Sequence, residues 1–519
     1  MRGRRRPLAA VLLAALLGAA TVGGRGALAV GDEVEGLLRA YTEAVTVAHG
    51  VYGREVSYRD LVFASIQGML RTLDPHTSFL SPEAYSNMRE RQQESFFGVG
   101  ILVSMRHGLL TVITPVEGTP ASRMGLRAGD VISAVDGEST ESMSLDEAVS
   151  RIKGPRGTEV SLEITRPGLD EPLEMVVTRD EIPQTTVRQA YLIEPGTGYL
   201  AITDFNRGTG REVAEAIDRL RAAGMKRLVL DLRNNGGGLL DQAIAVSDLF
   251  LPEGSEIVAT RGRTPGSNQR FADDGGPPDP ELAMPLVVLV NRGTASAAEI
   301  LAGAIQDHDE GLVVGTRTWG KGLVQTVYNL SYGAGLAVTT SRYHTPSGRV
   351  IQRDYSSWFD YTSGGEAAVA DDRERQVFLT DAGREVYGGG GITPDVTVEP
   401  AELSVLEQYL LSRNAFMDFA VEYRPHPPID SLEWRPGPEV WEAFKERVVE
   451  TGLVDAGEAG RLDEPGLRDF GLGAVHAELF NARFGFEARH RVLAAGDEQI
   501  QAALGLFDRA EALAAGPGG

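Results

Sequence analysis

The sequence predicts an α/β protein of several domains, and three observations carry that reading. The chain has 519 residues, more than one hydrophobic core usually serves, so three or four domains are expected. Between residues 183 and 400, apolar strand-like runs alternate with amphipathic helical stretches, the pattern of a mainly parallel sheet with helices around it. Ahead of that block lies a cluster of short β-rich runs, and both ends of the chain read as helical.

Composition narrows the function. Apolar residues make up 42% and charged residues 24%, as in an ordinary globular protein. A formal charge of -23 disfavours nucleic acid, which needs a basic surface. There is no cysteine, which excludes thiolate nucleophiles, disulfides and cysteine-zinc sites.

The elements follow in order. Residues 1–29 read as a secretory signal: basic MRGRRRP, apolar LAAVLLAALLGAA, and the small-x-small site Ala27-Leu28-Ala29. Arg25 beside that site makes an uncleaved membrane anchor the alternative. Cleavage removes five arginines and takes the formal charge from -23 to -28, and the mature chain is expected in a periplasm or outside the cell. Residues 30–96 read as helical, since VEGLLRAYTEAVTVAH and LVFASIQGMLRTL carry apolar residues at three- and four-residue spacing. Ser81-Pro82-Glu83 starts a further helix, with proline at its first turn. Residues 97–182 hold five β-rich runs from GVGILVSM to LEMVVTRD, interrupted by a helix at SLDEAVSRIKG. Residues 183–400 hold the strands GTGYLAITDF, RLVLDLR, PLVVLV and GLVVGT with helices between them, and a loop is expected over 261–283. Residues 401–519 return to amphipathic helix, either a packing bundle or a surface for self-association.

Two turns in the α/β block can carry chemistry. RLVLDLRNNGGGLL places consecutive glycines between a strand and a helix, which exposes backbone N–H groups at a positive helix end and suits an anion or an oxyanion. A plain tight turn explains it equally well. Ser296 stands between the strand PLVVLV and the helix AAEILAGAI, where a helix cap is the simple reading and a nucleophile the sharper one. No histidine is well placed to activate it. Lys321, in WGKGLVQT, does so if burial holds it neutral, and Gln325 would share its face if the segment is helical. A surface lysine in a glycine turn is the alternative. Asp307, His308, Asp309 and Glu310 are consecutive, point in different directions, and read as a solvated helix end; no metal or other cofactor is expected.

Together these residues carry a resemblance. DPHTSFLSPE, FFGVGI, TPASRMGLRAGDVISAVDG, DLRNNGGG, GTASAAEI, TWGKGLVQT, YHTPSGRVIQ and GITPDV, in that order over roughly residues 35–400, resemble the carboxyl-terminal processing peptidases, or tail-specific proteases. The resemblance implies a crotonase-like or ClpP-like α/β protease core with an inserted PDZ domain. It implies Ser296 as nucleophile, Lys321 as general base and Gln325 as the residue that orients the lysine. For the oxyanion hole it implies Gly237 or Gly236 with Ala297. The β domain resembles a PDZ domain, which adds a peptide as an extra strand and holds its carboxylate in a loop of amides; the loop is Gly98-Val99-Gly100-Ile101. Leu145, Ala148, Val149 and Ile152 of the interrupting helix divide between core and groove, and Arg151 and Lys153 are either solvated charges or sensors of a bound C-terminus. The expected partners are unfolded or tail-exposed proteins, with an activating protein and a second copy bound through the C-terminal helices as further readings. The last 120 residues lie outside the family pattern. A catalytically silent PDZ scaffold and an acyl-CoA enzyme are the competing functions.

Overall fold

The computed structural model describes residues 26–166, 168–272, 284–353, 375–423 and 428–515. The signal expected at 1–29 lies outside the described residues, save for its last four, which begin a helix. Among the described residues no helix is long and apolar enough to cross a membrane. The chain forms two units, one of residues up to 83 with 327–338, the other of 84–326 with 339–519.

In the first unit, the helices Gly26–Val51 and Tyr58–Leu70 form a hairpin. Ser57 caps the second by accepting from Asp60 N–H at 3.0 Å. The short strand Ser78–Leu80 pairs antiparallel with residues 335–337.

The second unit centres on a six-stranded sheet. Its order is Val187–Glu194, Thr197–Ile202, Arg227–Asp231, Leu286–Val290, Leu312–Gly315, Val396–Thr397. The first pair is antiparallel and every later pair parallel. Thr197–Ile202 and Leu286–Val290 are buried at every position, as strands covered on both faces must be. Helices Thr209–Ala222, Leu240–Ser247 and Ala297–Asp307 pack one face. The other face is covered from far along the chain. Ile500, Ala503, Phe507 and Ala510 pack on Tyr199, Val229, Val287 and Leu289, so the helices Glu498–Leu504 and Phe507–Ala514 belong to the core.

The expected β domain is present. Strands Ile101–Arg106, Leu109–Pro115, Val131–Val135, Glu159–Thr165 and Leu173–Thr178 form an antiparallel sheet around Leu110, Ile132, Leu162 and Ile164. Its neck closes where Ser95–Gly98 pairs with Asp180–Pro183. The helices between Val405 and Phe484 bury Trp441, Phe444 and Phe416 in a core of their own. The loop expected over 261–283 is in part a strand, since Gln269–Ala272 pairs with Glu256–Thr260; residues 273–283 lie outside the described residues.

Candidate active site

Three neighbouring parallel strands deliver three loops to one edge of the sheet. Asp231 pairs with Leu289, and Leu289 with Val314, so the chain leaves these strands side by side at their C-terminal ends, where open α/β sheets form their crevices. The first loop holds Gly236 and Gly237, the second Ser296, the third Lys321.

Hydrogen bonds stitch the loops together. Ala295 N–H donates to Asn235 O at 2.9 Å, and the Thr294 hydroxyl to Leu232 O at 2.8 Å. Gly237, at φ +98°, lies so close that an added Cβ would stand 2.7 Å from Ser296 Cβ. Trp319 N–H donates to Thr294 O at 2.9 Å, tying the lysine loop to the serine turn.

Ser296 sits at φ +56°, ψ -116°, a region a residue with a side chain rarely occupies and one associated with functional sites. Its Oγ takes no cap hydrogen bond, so the simple cap reading fails at that atom. Ala297 N–H, the first of the helix, makes no hydrogen bond among the described residues and lies at the positive end of the helix.

The residue that joins serine and lysine is Glu299, fully buried at 0% exposure. Its Oε2 accepts from Ser296 N–H at 2.8 Å and Lys321 N–H at 2.9 Å; its Oε1 accepts from Gly320 N–H at 2.7 Å and the Thr318 hydroxyl. Burial pushes this carboxyl up, against the pull of the four donors. Only a carboxylate can accept from all four without a proton of its own in the way. Sequence reasoning passed over Glu299, although serine followed three residues later by glutamate at a helix start is the signature of a capping box.

Lys321 is half-buried. Burial lowers its pKa, and Glu299 nearby pulls the other way. Among the described residues no hydrogen bond joins Ser296 Oγ to Lys321 Nζ. The motifs near residues 350 and 392 brace this loop. Gly322 N–H donates to Gln352 Oε1 at 2.9 Å and Ile392 N–H to Thr318 Oγ1 at 2.7 Å. The Arg353 guanidinium stacks 3.9 Å over the Trp319 ring.

Two expectations change. Gln325 lies in the strand Leu323–Asn329, not a helix. The even spacing still favours one face, but about 13 Å separates the two Cα atoms of residues four apart in an extended chain, so the helical route from Gln325 to the amine is absent. The strand wins because Leu323, Val324 and the residues that follow pair with Gly335–His344. In the glycine turn, Gly237 N–H donates to Asn235 Oδ1 at 2.9 Å. Gly236 N–H makes no hydrogen bond among the described residues, and Gly236 is exposed.

The acidic run at 307–310 is not solvated. Asp307 is buried against Arg349 at 2.7 Å, and Asp309 pairs with Arg384 at 2.6 Å. His308 lies between Asp381 Oδ2 at 2.7 Å and Glu256 O at 2.8 Å.

In the β domain, Ile101–Arg106 is an edge strand, paired on one side by Leu109–Pro115. In the preceding loop Val99 O accepts from Ala121 N–H, and Gly100 O from Val116 N–H, both at 2.9 Å. Gly100 has φ +83°, and a Cβ there would meet Thr119 at 2.3 Å. On the facing helix Ala148 and Ile152 are buried in the core, Leu145 packs against it, and Val149 is half-exposed. Arg151 is held by Glu138 and Glu147, and Lys153 by Glu90. A cavity of about 490 Å3 connects Gly100, Ile101 and Leu102 with Thr203, Asp204 and Asn206. The next residue of that segment, Phe205, donates its N–H to Gly237 O at 3.1 Å, so the cavity runs from the β domain's loop to the glycine turn.

Known proteins match this arrangement. Residues 196–356 fit the profile of Peptidase family S41, and residues 111–166 that of the PDZ domain. The Carboxy-terminal-processing protease of Bartonella bacilliformis is 43% identical over 296 residues, covering 56% of this chain and 67% of that protein. The Carboxyl-terminal-processing protease of a Synechocystis species is 42% identical over 306 residues, with 58% and 70% covered. Its counterpart in a Picosynechococcus species is 38% identical over 298 residues, with 56% and 71% covered. The chain belongs to the carboxyl-terminal-processing proteases of peptidase family S41, and is a serine-type peptidase with a PDZ domain.

Proposed function

We propose that this peptidase captures protein C-termini in its PDZ groove and cuts near the tail with a Ser296–Lys321 pair. The observation that carries the reading is Glu299, whose four hydrogen bonds hold the serine turn and the lysine loop to one buried carboxylate. A helix cap and a surface lysine would need no such shared anchor.

The steps follow from the groups present. Lys321, kept short of protons by its half-buried position, takes the proton of the Ser296 hydroxyl. The Oγ adds to the scissile carbonyl carbon, and the oxyanion lies against Ala297 N–H and an amide of the glycine turn. Gly236 offers the open amide; Gly237 joins if the Asn235 side chain gives way. The lysine ammonium then gives its proton to the leaving amine nitrogen, and the C-terminal fragment departs. Lys321 next takes a proton from water, whose oxygen adds to the acyl carbon and releases Ser296. Ser296 Oγ and Lys321 Nζ meet in the substrate complex, since they are not bonded in its absence. Gln325 orients the lysine at that stage. No metal or other cofactor takes part.

Capture rests on the unpaired edge of Ile101–Arg106, the loop Gly98-Val99-Gly100-Ile101 and Val149 opposite. The cavity from Gly100 to Asp204 is the path by which a tail reaches the glycine turn. The substrates in this reading are unfolded or tail-exposed proteins. The core is of the crotonase-like or ClpP-like kind. Its domains are a leader at 1–29, a helical region at 30–96, the PDZ domain at 97–182, the protease core at 183–400 with the last two helices, and a helical extension from 401. The leader sends the protein to the periplasm or beyond, where an activating protein closes the serine-lysine contact.

The test is incubation of the exported protein with an unfolded substrate ending in apolar residues, with fragments followed by mass spectrometry. Fragments from the parent and none from Ser296→Ala are expected. The open serine-lysine contact favours one other reading, a silent PDZ scaffold. Tail binding without cleavage, even beside periplasmic extract, would establish that instead.

A further inference from the structure

The N-terminal helical hairpin has an apolar stripe and almost no interior. In Gly26–Val51 the residues Val34, Leu37, Leu38, Tyr41, Val45 and Ala48 recur at three- and four-residue intervals, the stripe of a helix made to pack. Yet none of residues 33–51 is buried, and Val45 and Ala48 alone are half-covered. Leu37 is 64% and Val51 76% exposed. The second helix touches the first through Tyr41 and Ser65 hydroxyls at 2.6 Å and a His49–Tyr58 ring stack at 3.8 Å. Leu70 is the one buried apolar residue between 33 and 83.

Helices gain most of their stability by burying such a stripe, so this surface is built to be covered. Ten large apolar side chains between residues 34 and 73 stand exposed. Open to about half each, they present on the order of 1,000 Å2, against about 800 Å2 per partner in a standard interface.

We propose that this face is a homodimer interface, in which a second copy of the chain lays its own Gly26–Val51 helix antiparallel to the first. Charge selects that occupant. Residues 33–44 hold three carboxylates and one guanidinium; residues 45–59 hold two guanidiniums, His49 and one carboxylate. An antiparallel pair about a two-fold axis sets the acidic half of each copy beside the basic half of the other, as a self-complementary interface requires. The pairing moves self-association from the C-terminal helices, whose last two cover the core sheet, to the N-terminal ones. It extends beyond the peptidase reading and does not depend on it.

The test reads mass, not activity. Protein recovered from the exported fraction of a bacterial host is sized by light scattering, with Leu38→Glu beside it. The expected result is a dimer for the parent and half that mass for Leu38→Glu, with the same melting curve. The chain has no cysteine, so a single introduced one reports contact in an otherwise unaltered protein. Val45→Cys, on the stripe, should form an intermolecular disulfide on oxidation, and Glu43→Cys, on the opposite face, should not. A monomeric parent, a dimer untouched by Leu38→Glu, or equal cross-linking from both faces overturns the proposal. A monomer that co-sediments with phosphatidylglycerol vesicles overturns it in favour of a lipid surface.

Discussion

Replacing Glu299 with glutamine keeps the shape and removes one acceptor oxygen and the charge. The amide must put NH2 where one carboxylate oxygen stood, so two of the four donors face a donor. The cheaper orientation turns the NH2 toward Thr318, whose hydroxyl can rotate to accept, and leaves Gly320 N–H without a partner. A buried orphaned donor costs about 1–3 kcal/mol, and the bonds that remain lose the roughly twofold strength that charge confers. The loops are then held less firmly by about 2–4 kcal/mol. Displacement of catalytic groups by about 1 Å can cost on the order of 100-fold. Glu299→Gln should therefore lower kcat by about 10- to 100-fold and leave KM nearly unchanged. It should also move the pH profile. The Glu299 charge favours the protonated lysine, so its loss lets the Lys321 pKa fall further. Activity needs the neutral amine, so the acid limb of kcat/KM should shift to lower pH. Initial rates on a quenched-fluorescent peptide, from about pH 5 to pH 10, read both quantities. A kcat within twofold of the parent refutes the anchoring role. A slower enzyme whose acid limb stays put, or rises, refutes the electrostatic coupling.

Other variants test separate parts of the argument. Gly237→Ala puts a methyl 2.7 Å from Ser296 Cβ at φ +98°; it should abolish cleavage and lower Tm, and normal rates would show that the turn is not so tightly set. Val149→Glu should raise KM for tail-bearing proteins, about tenfold if a fully buried contact of about 1.4 kcal/mol is lost, and leave kcat on a short peptide unchanged; equal losses on both would count against capture by this groove. His308 is pulled down by burial, but the Glu256 carbonyl and Asp381 carboxylate outweigh that, and its pKa is raised. A raised folded-state pKa stabilises below the unfolded value of about 6.5 and is lost as pH climbs through the folded one. His308→Leu should thus lower Tm more at pH 6 than at pH 9, and a larger drop at pH 9 would reverse the sign.

Several features were readable along the chain because their causes are local. Parallel strands buried on both faces appear as unbroken apolar runs such as PLVVLV, and the turns between strand and helix appear as glycine clusters. The β domain, the serine turn, and the helices at both ends were legible for that reason. Gln325 was placed on a helix because a four-residue spacing suggests one, but pairing with a distant strand decided otherwise. The quartet from Asp307 to Glu310 looked solvated because its partners Arg349, Asp381 and Arg384 are 40 or more residues away.

What the sequence by itself determined is the inventory: which segments are strand or helix, which turns expose backbone amides, and which serine and lysine stand at them. Tertiary structure alone decided what those residues meet. Parallel order put three loops at one sheet edge, and Glu299 could anchor two of them only once that edge existed. The last helices joined the core because the sheet's second face needed cover, and the stripe near Leu37 stayed open because nothing within the chain covers it. Each of these outcomes depends on contacts between residues far apart in sequence, which no local pattern encodes.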